Sequence, residues 1–435
     1  MVQRTEKIFM NLSKQISNET ENRKKYAVDV RNFSRVRILT IETLVVYFLN
    51  MVKQTSAVET EKYFRLLGKQ SCTLGAITQR KKLLKHEIFI DLNKGFVDDI
   101  YKREEIKRWQ RKRIIAVDGT KINLFNKEEV KKYFGIQRIK GKEVPMGQIV
   151  TSYDVLNNVS ITSTITPLNW SEGKEAIERV SSYDRDMIVL YDRGFPSFSL
   201  MYHHIRNEIP FVIRVKKDFN TEVKKFSESK TKETVVEIKI SSQGKILLSK
   251  MNYAVNENTK IKIRLIKIEL ENDFIVIATS LKNRKDYDRK KFKELYKLRW
   301  GIETYFDKLK NKMRVETFSG RTVQSIKQEF YATILVSNIH SFIVKIAEEE
   351  ILKSKAYKKC KYEYKINQNV SIGILKDNIV ELLIHNSINP LLSLIINVFL
   401  KHKIPIIPDR KNKRSARKFI IRGRNKTILN YNTAI

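Results

Sequence analysis

Apolar and polar positions change rhythm several times along the chain. In Ile38–Met51 the residues Ile41, Leu44, Val45, Phe48 and Leu49 recur on one side of a 3.6-residue period, which predicts a helix. Thr73–Leu84 predicts a second, short helix with Thr73 as its N-cap and Arg80, Lys81 and Lys82 at its far end. At Arg111 the texture changes. A basic run, Lys107–Arg113, leads into Ile114, Ile115, Ala116 and Val117, a buried-strand pattern that ends on Asp118, Gly119 and Thr120. Gln148–Val155 and Val159–Ile165 alternate as two strands, joined at Asn157 and Asn158, residues that tolerate the positive φ of a tight hairpin. A helix over Glu172–Ser181 follows, then a wholly apolar strand, Met187–Tyr191, which ends on Asp192, Arg193 and Gly194. Further on, Thr234–Ile240, Lys245–Leu248, Ile261–Leu270 and Phe274–Thr279 alternate apolar residues with Lys or Glu and predict an inserted sheet. Gln324–Ile346 predicts a long amphipathic helix, and beyond Glu348 the chain reads as helical with basic interruptions.

The run Glu294–Met313 has no Pro and only one Gly, Gly301, and predicts one continuous helix. At about 100° per residue, Tyr296, Arg299, Glu303 and Lys310 share a stripe roughly 60° wide. Leu295, Leu298, Ile302, Tyr305 and Leu309 form the adjoining apolar face. Taken alone, the stripe also describes a solvated face with weak ion pairs. Trp300 reads as core or helix-supporting packing, with a base-stacking role as the alternative.

Charge narrows the partners. The 435 residues contain 85 Lys plus Arg against 48 Asp plus Glu, a net charge of +37 spread over the whole length. Such an excess suits a long polyanion, since each neutralised phosphate releases counterions. Nucleic acid is the partner it favours over a membrane surface, with the helix ending at Arg80 readable either as an element that enters a groove of double-stranded DNA or as an ordinary basic surface helix. Cys72 and Cys360 have no CxxC neighbour, which excludes a disulfide framework and a zinc finger. The N-terminus lacks a signal-peptide pattern, and the longest apolar stretch, Leu391–Leu400, is about half a membrane span. These features predict a soluble, cytoplasmic protein without a membrane partner. There is no Walker-type glycine loop, so no nucleotide cofactor is expected. The tail Arg410–Lys426 is dense in Arg and Lys.

Three carboxylates occupy comparable places: Asp118 and Asp192 at strand ends, and Glu303 on a helix. Oxygen ligands of this kind suit Mg2+ or Mn2+, and two such ions would stabilise both the attacking and the leaving oxygen of a phosphoryl transfer. With strand, hairpin, helix and strand in that order, the expected fold is α/β: an RNase H-like core, a mixed sheet with flanking helices, interrupted by a β-rich insertion.

With these residues in place, the sequence resembles the DDE transposases of bacterial insertion sequences, in the large group (family four) marked by the spacing Y-x2-R-x3-E-x6-K. That signature is complete here in Tyr296, Arg299, Glu303 and Lys310. Asp118 in Val-Asp-Gly-Thr, Asp192 in Tyr-Asp-Arg-Gly-Phe and Glu303 in Leu-Arg-Trp-Gly-Ile-Glu match the family's three catalytic, metal-binding positions. The resemblance implies a helical DNA-binding region over residues 1–108 and a core in two parts, 109–214 and 286–348. It also implies a β-rich insertion at 215–285 and a helical, basic region at 349–435. It further implies cut-and-paste transposition by metal-dependent cleavage and strand transfer at terminal inverted repeats, and a homodimer on paired DNA ends in a bacterial cytoplasm, near the nucleoid. Tyr296, Arg299 and Lys310 would hold phosphates at the DNA end, and Arg193 and Arg80 are further candidate DNA contacts. The competing reading is a transposase-derived DNA-binding protein that no longer cuts and acts as a repressor or inhibitor of transposition.

Overall fold

The structure, a computed structural model, describes residues 2–35, 37–50, 53, 55–139, 141–353, 362–384 and 388–407. They divide into two compact units. Unit 1 comprises the described residues of Met1–Glu105, Asn123–Met146 and Lys308–Ile435, and unit 2 comprises Ile106–Ile122 and Gly147–Asp307. Cys360 and the basic tail Arg410–Lys426 lie outside the described residues.

The strands are β1 (Arg113–Asn123), β2 (Ile136–Ile139), β3 (Lys142–Asp154), β4 (Val159–Pro167), β5 (Met187–Tyr191), β6 (Phe211–Val215), β7 (Glu233–Lys239), β8 (Lys260–Glu269), β9 (Phe274–Thr279), β10 (Glu363–Ile366) and β11 (Lys403–Ile406).

Unit 1 is mostly helical. The predicted helices appear as Ile41–Leu49 and Leu74–Lys82, each capped by a threonine: the Thr40 hydroxyl accepts the Thr43 N–H at 3.1 Å, and that of Thr73 accepts the Ala76 N–H at 3.2 Å. The centre of the unit is aromatic, with the rings of Phe9, Phe96 and Phe342 meeting at 5.9–6.3 Å. Phe342 belongs to the helix Val323–Lys353, which is long and apolar enough to cross a membrane. Its most apolar window is 89% buried inside the protein, and it also buries Gln328, Glu329, Asn338 and His340. Asn338, for example, donates to Asn93 Oδ1 at 2.7 Å, a pairing that a core helix needs and a lipid-facing one lacks. Beyond Glu348 the helices Gln368–Ile384 and Asn389–Lys401 agree with the helical expectation, and only β10 and β11, which pair antiparallel from Glu363↔Ile406 to Ile366↔Lys403, depart from it. Strands of four residues are too short for their alternation to show in sequence.

Unit 2 is built on a mixed sheet. In order across it run β4-β3-β1-β5-β6-β9-β8-β7, and β2 extends the N-terminal end of β3 as a hairpin within unit 1. β1, β5 and β6 are parallel, whereas β3 and β4 form the predicted antiparallel hairpin, with Asn158 at φ 56°. The arrangement β4-β3-β1-β5-β6 is that of an RNase H-like core. Two sequence expectations are corrected. The later strands do not form a sheet of their own; β9 pairs antiparallel with β6, Val212 opposite Thr279, so β7–β9 continue the same sheet. Lys245–Leu248 is not a strand but part of the helix Ser242–Lys250, where the Ser241 hydroxyl caps the Gly244 N–H and Gly244 and Leu248, four apart, are buried.

Period-two alternation sorts the sheet's two faces. Ile115, Val117, Val189, Tyr191, Phe211 and Ile213 pack with Ala176, Ile177, Leu200, Met201 and Phe226 of the helices on one side. Ile114, Ile188, Leu190 and Val212 pack on the other with Phe292, Leu295 and Tyr296. Each fully buried Ile, Leu or Phe adds roughly 1.5–3 kcal/mol. The alternation also has a consequence for chemistry: Asp118 and Asp192 fall in step with Ile114 and Leu190, on the face covered by the helix Phe292–Lys297.

Candidate active site

Parallel pairing brings the two aspartates together. Val117 lies opposite Tyr191 in the last register pair of β1 and β5, so Asp118 and Asp192 are the next residues on adjacent strands. The Gly119 N–H donates to Asp118 Oδ1 at 2.8 Å. Tyr296 joins the second strand end to the helical segment: its hydroxyl donates to Asp192 Oδ1 at 3.3 Å and lies 3.4 Å from the Tyr191 carbonyl. Burial, and then the Asp192 charge, raises the pKa of that phenol, so it stays a donor.

Arg299 links the remaining groups. Its guanidinium NH2 donates to Glu303 Oε1 at 2.7 Å, and NH1 lies 3.8 Å from Asp118 Oδ2. The side chain is buried, yet Nε has no hydrogen-bond partner. Burial disfavours its charge, but the bond to Glu303 and the nearby Tyr296 and Asp192 outweigh burial and raise its pKa. The carboxyl of Asp118 is pushed up to about 6, chiefly by burial. The Gly119 N–H and Arg299 hold it down, and the charges of Glu172 and Asp192 push it further up.

The helical segment is irregular where these groups sit, which corrects the expectation of one continuous α-helix. Phe292–Lys297 is α-helical, Leu298–Trp300 a 3-10 turn, Gly301–Asp307 α-helical and Lys308–Lys312 a π-helical turn. Tighter and wider turns shift the angular phase, so an ideal 100° step does not describe the stripe. Contacts on both flanks fix the segment: Tyr305 stacks on Tyr153 with centroids 4.4 Å apart, and Gly301 lies against Val155, whose side chain a Cβ there would approach to 3.3 Å. Leu295, Ile302, Tyr305 and Leu309 are buried, as the apolar face predicts. Trp300 is not packing: it is 53% exposed, with the Arg299 guanidinium 5.0 Å from its ring.

Among the described residues, no three or more His, Cys, Asp and Glu side chains are gathered as a preformed metal cluster, and Arg299 occupies the space between Asp118 and Glu303 as a counterion. The donor set nevertheless suits a hard divalent cation. It is all carboxylate oxygen, and repulsion from Glu172 and Asp192 on the half-buried Asp118 is relieved by positive charge.

The model of the transposase DDE domain matches residues 109–339, more than half of the chain. The chain belongs to this transposase family. A transposase's matched domain thus holds β1, β5 and the segment carrying Tyr296, Arg299 and Glu303. Among solved structures, the transposase is similar to a chain in the cryo-EM structure of a piggyBac transposase synaptic complex with hairpin DNA, at 11% identity and a TM-score of 0.44, with 93% of this chain and 88% of that chain covered. No curated protein matches it.

The other predicted residues of the transposase are placed as follows. Arg193, next to Asp192, is exposed. Arg80 lies in unit 1 with its guanidinium 4.5 Å from the Phe33 ring. Lys310, also in unit 1, sits in the π-helical turn; burial lowers its pKa, opposed by Glu316. Nothing in the sequence pointed to Glu172, which meets β1 at Gly119 because the helix it opens starts there.

Proposed function

We propose that Asp118, Asp192 and Glu303 form one strand-cutting site of a DNA transposase that excises its own element at terminal inverted repeats and joins it to new DNA. The observation that carries this reading is the convergence of Asp118 and Asp192 on adjacent parallel strands, with Arg299 reaching both Asp118 and Glu303. The three carboxylates would hold divalent cations, Mg2+ or Mn2+, which supply Lewis-acid polarisation of phosphoryl oxygens. The chain's own residues do the rest. Arg299, with an unpartnered Nε in a buried position, offers a donor to a phosphate oxygen. Tyr296 holds Asp192 as an acceptor facing the site. Exposed Arg193 suits a phosphate beside Asp192, and the half-exposed Trp300 offers a ring on which a base can stack. Lys310 and Arg80 extend the basic contacts, and the helical region 1–108 would bind the DNA end. The signature over Tyr296–Lys310 supports membership of family four of the bacterial insertion sequences. It also supports action as a homodimer on paired ends in the cytoplasm.

A catalytically silent repressor is the weaker reading. DNA binding alone gives no reason to place two carboxylates side by side where β1 and β5 cease to pair and a third on a buried arginine.

Linear DNA carrying the repeats that flank the gene, incubated with protein and Mg2+, tests the proposal. Cutting at the element boundary should fall by at least about a hundredfold in both Asp118→Asn and Glu303→Gln. Unchanged cutting in either variant removes that residue from the site.

A further inference from the structure

A fourth carboxylate lies beside Asp118. Glu172 opens the helix Glu172–Arg179, directly after Ser171, whose hydroxyl accepts the Lys174 N–H at 3.3 Å. This helix is firmly held. Buried Arg179 donates to Glu175, to the Val150 and Thr162 carbonyls and to Thr164, while Trp170 Nε1 donates to Glu175 Oε2 at 2.9 Å. The start of the helix is therefore fixed against the sheet, and Glu172 reaches β1 at Gly119.

Two neighbours shape its position. Gln148, buried on β3, donates its Nε2 to Glu172 Oε1. Gly119 supplies space: a methyl group there would fall inside the Glu172 carboxylate. Only glycine at this position next to Asp118 leaves room for that carboxylate. Among the described residues the only hydrogen bond to the Glu172 carboxylate comes from neutral Gln148, and none of them forms an ion pair with it. An independent sign of a ligand in this cluster is Arg299, 4% exposed and with Nε unpartnered, which calls for an acceptor such as phosphate oxygen.

We propose that Glu172 belongs to the site as a fourth carboxylate, holding a divalent cation together with Asp118 and Asp192. The inference rests on the reading of Asp118, Asp192 and Glu303 as a metal site. If Glu172 served only its own helix, as a first-turn negative charge satisfied by Gln148, metal binding would not depend on it.

The test is calorimetric titration of metal-stripped full-length protein with Mn2+, with thermal melting to show that each variant is folded. Glu172→Gln should weaken Mn2+ binding by about tenfold or more, as loss of a supporting carboxylate does at other metal sites. Gly119→Ala, which keeps every charge but displaces the Glu172 carboxylate, should weaken it in the same direction and serves if Glu172→Gln does not fold. Wild-type affinity in the folded Glu172 or Gly119 variant, with Asp118→Asn having lost binding, overturns the role of Glu172 and leaves the site itself standing. Wild-type affinity in Asp118→Asn overturns both.

Discussion

Arg299 is the side chain on which the candidate site turns. Its planar fork spends NH2 on Glu303 and turns NH1 toward Asp118, leaving Nε for a ligand, a division that a lysine ammonium cannot reproduce. If that open donor takes one DNA phosphate, Arg299→Ala should weaken binding to the element's end and lower the slope of log affinity against log salt by about one unit. Fluorescence anisotropy across a salt series reads this directly, and an unchanged slope contradicts the phosphate contact. At this scale the sequence was informative where a residue ends a pattern. Asp118 and Asp192 each close an apolar run, which makes them visible. Glu172 ends nothing; its proximity to Asp118 depends on space left by Gly119 on a different element. Trp300, expected as packing, is instead half-exposed in a 3-10 turn.

Among the elements, the segment from Phe292 to Lys312 carries most of the chemistry and most of the irregularity. Its apolar face was legible from periodicity, but the changes of winding were not, since they arise from contacts such as Tyr305 on Tyr153 and Gly301 against Val155. Its π-helical turn holds Lys308, buried among Ser337 and Ser341, to which it donates at 3.2 and 2.9 Å. Burial lowers the Lys308 pKa from 10.5 to about 7. The folded state therefore binds fewer protons than the unfolded state between about pH 7 and 10.5, and this residue makes stability rise with pH across that window. Lys308→Met should raise the melting temperature at pH 7 by a few degrees and flatten that rise, because it removes the desolvation cost for two modest hydrogen bonds. A melting temperature that falls, with the pH dependence unchanged, would show that the lysine is charged and satisfied in the fold. The strands teach a similar lesson. Met187–Tyr191 was read to the residue, whereas Lys245–Leu248 was assigned the wrong state because a capped two-turn helix with one buried face mimics short alternation.

Over the whole molecule, the fold class was legible from element order, since strand, hairpin, helix and strand give β4-β3-β1-β5, whereas β6 was not read as a strand. The join of β7–β9 to the core sheet was not legible, because alternation describes a strand and never names its partner. The net charge of +37 gives long-range attraction to DNA, and the carboxylates form a small acidic centre within that basic field. Cutting without a cation would require like charges to meet, the phosphate of DNA against Asp118, Asp192, Glu172 and Glu303. The central claim is therefore that these carboxylates act by holding a metal. The most direct measurement is metal rescue of Asp192→Cys, assayed on DNA carrying the element's end. The account predicts that this variant fails to cut in Mg2+, which binds thiolate poorly, and regains cutting when Mn2+ or another thiolate-tolerant cation replaces it. Full cutting by Asp192→Cys in Mg2+, or equal failure in every cation while DNA binding is intact, would contradict it.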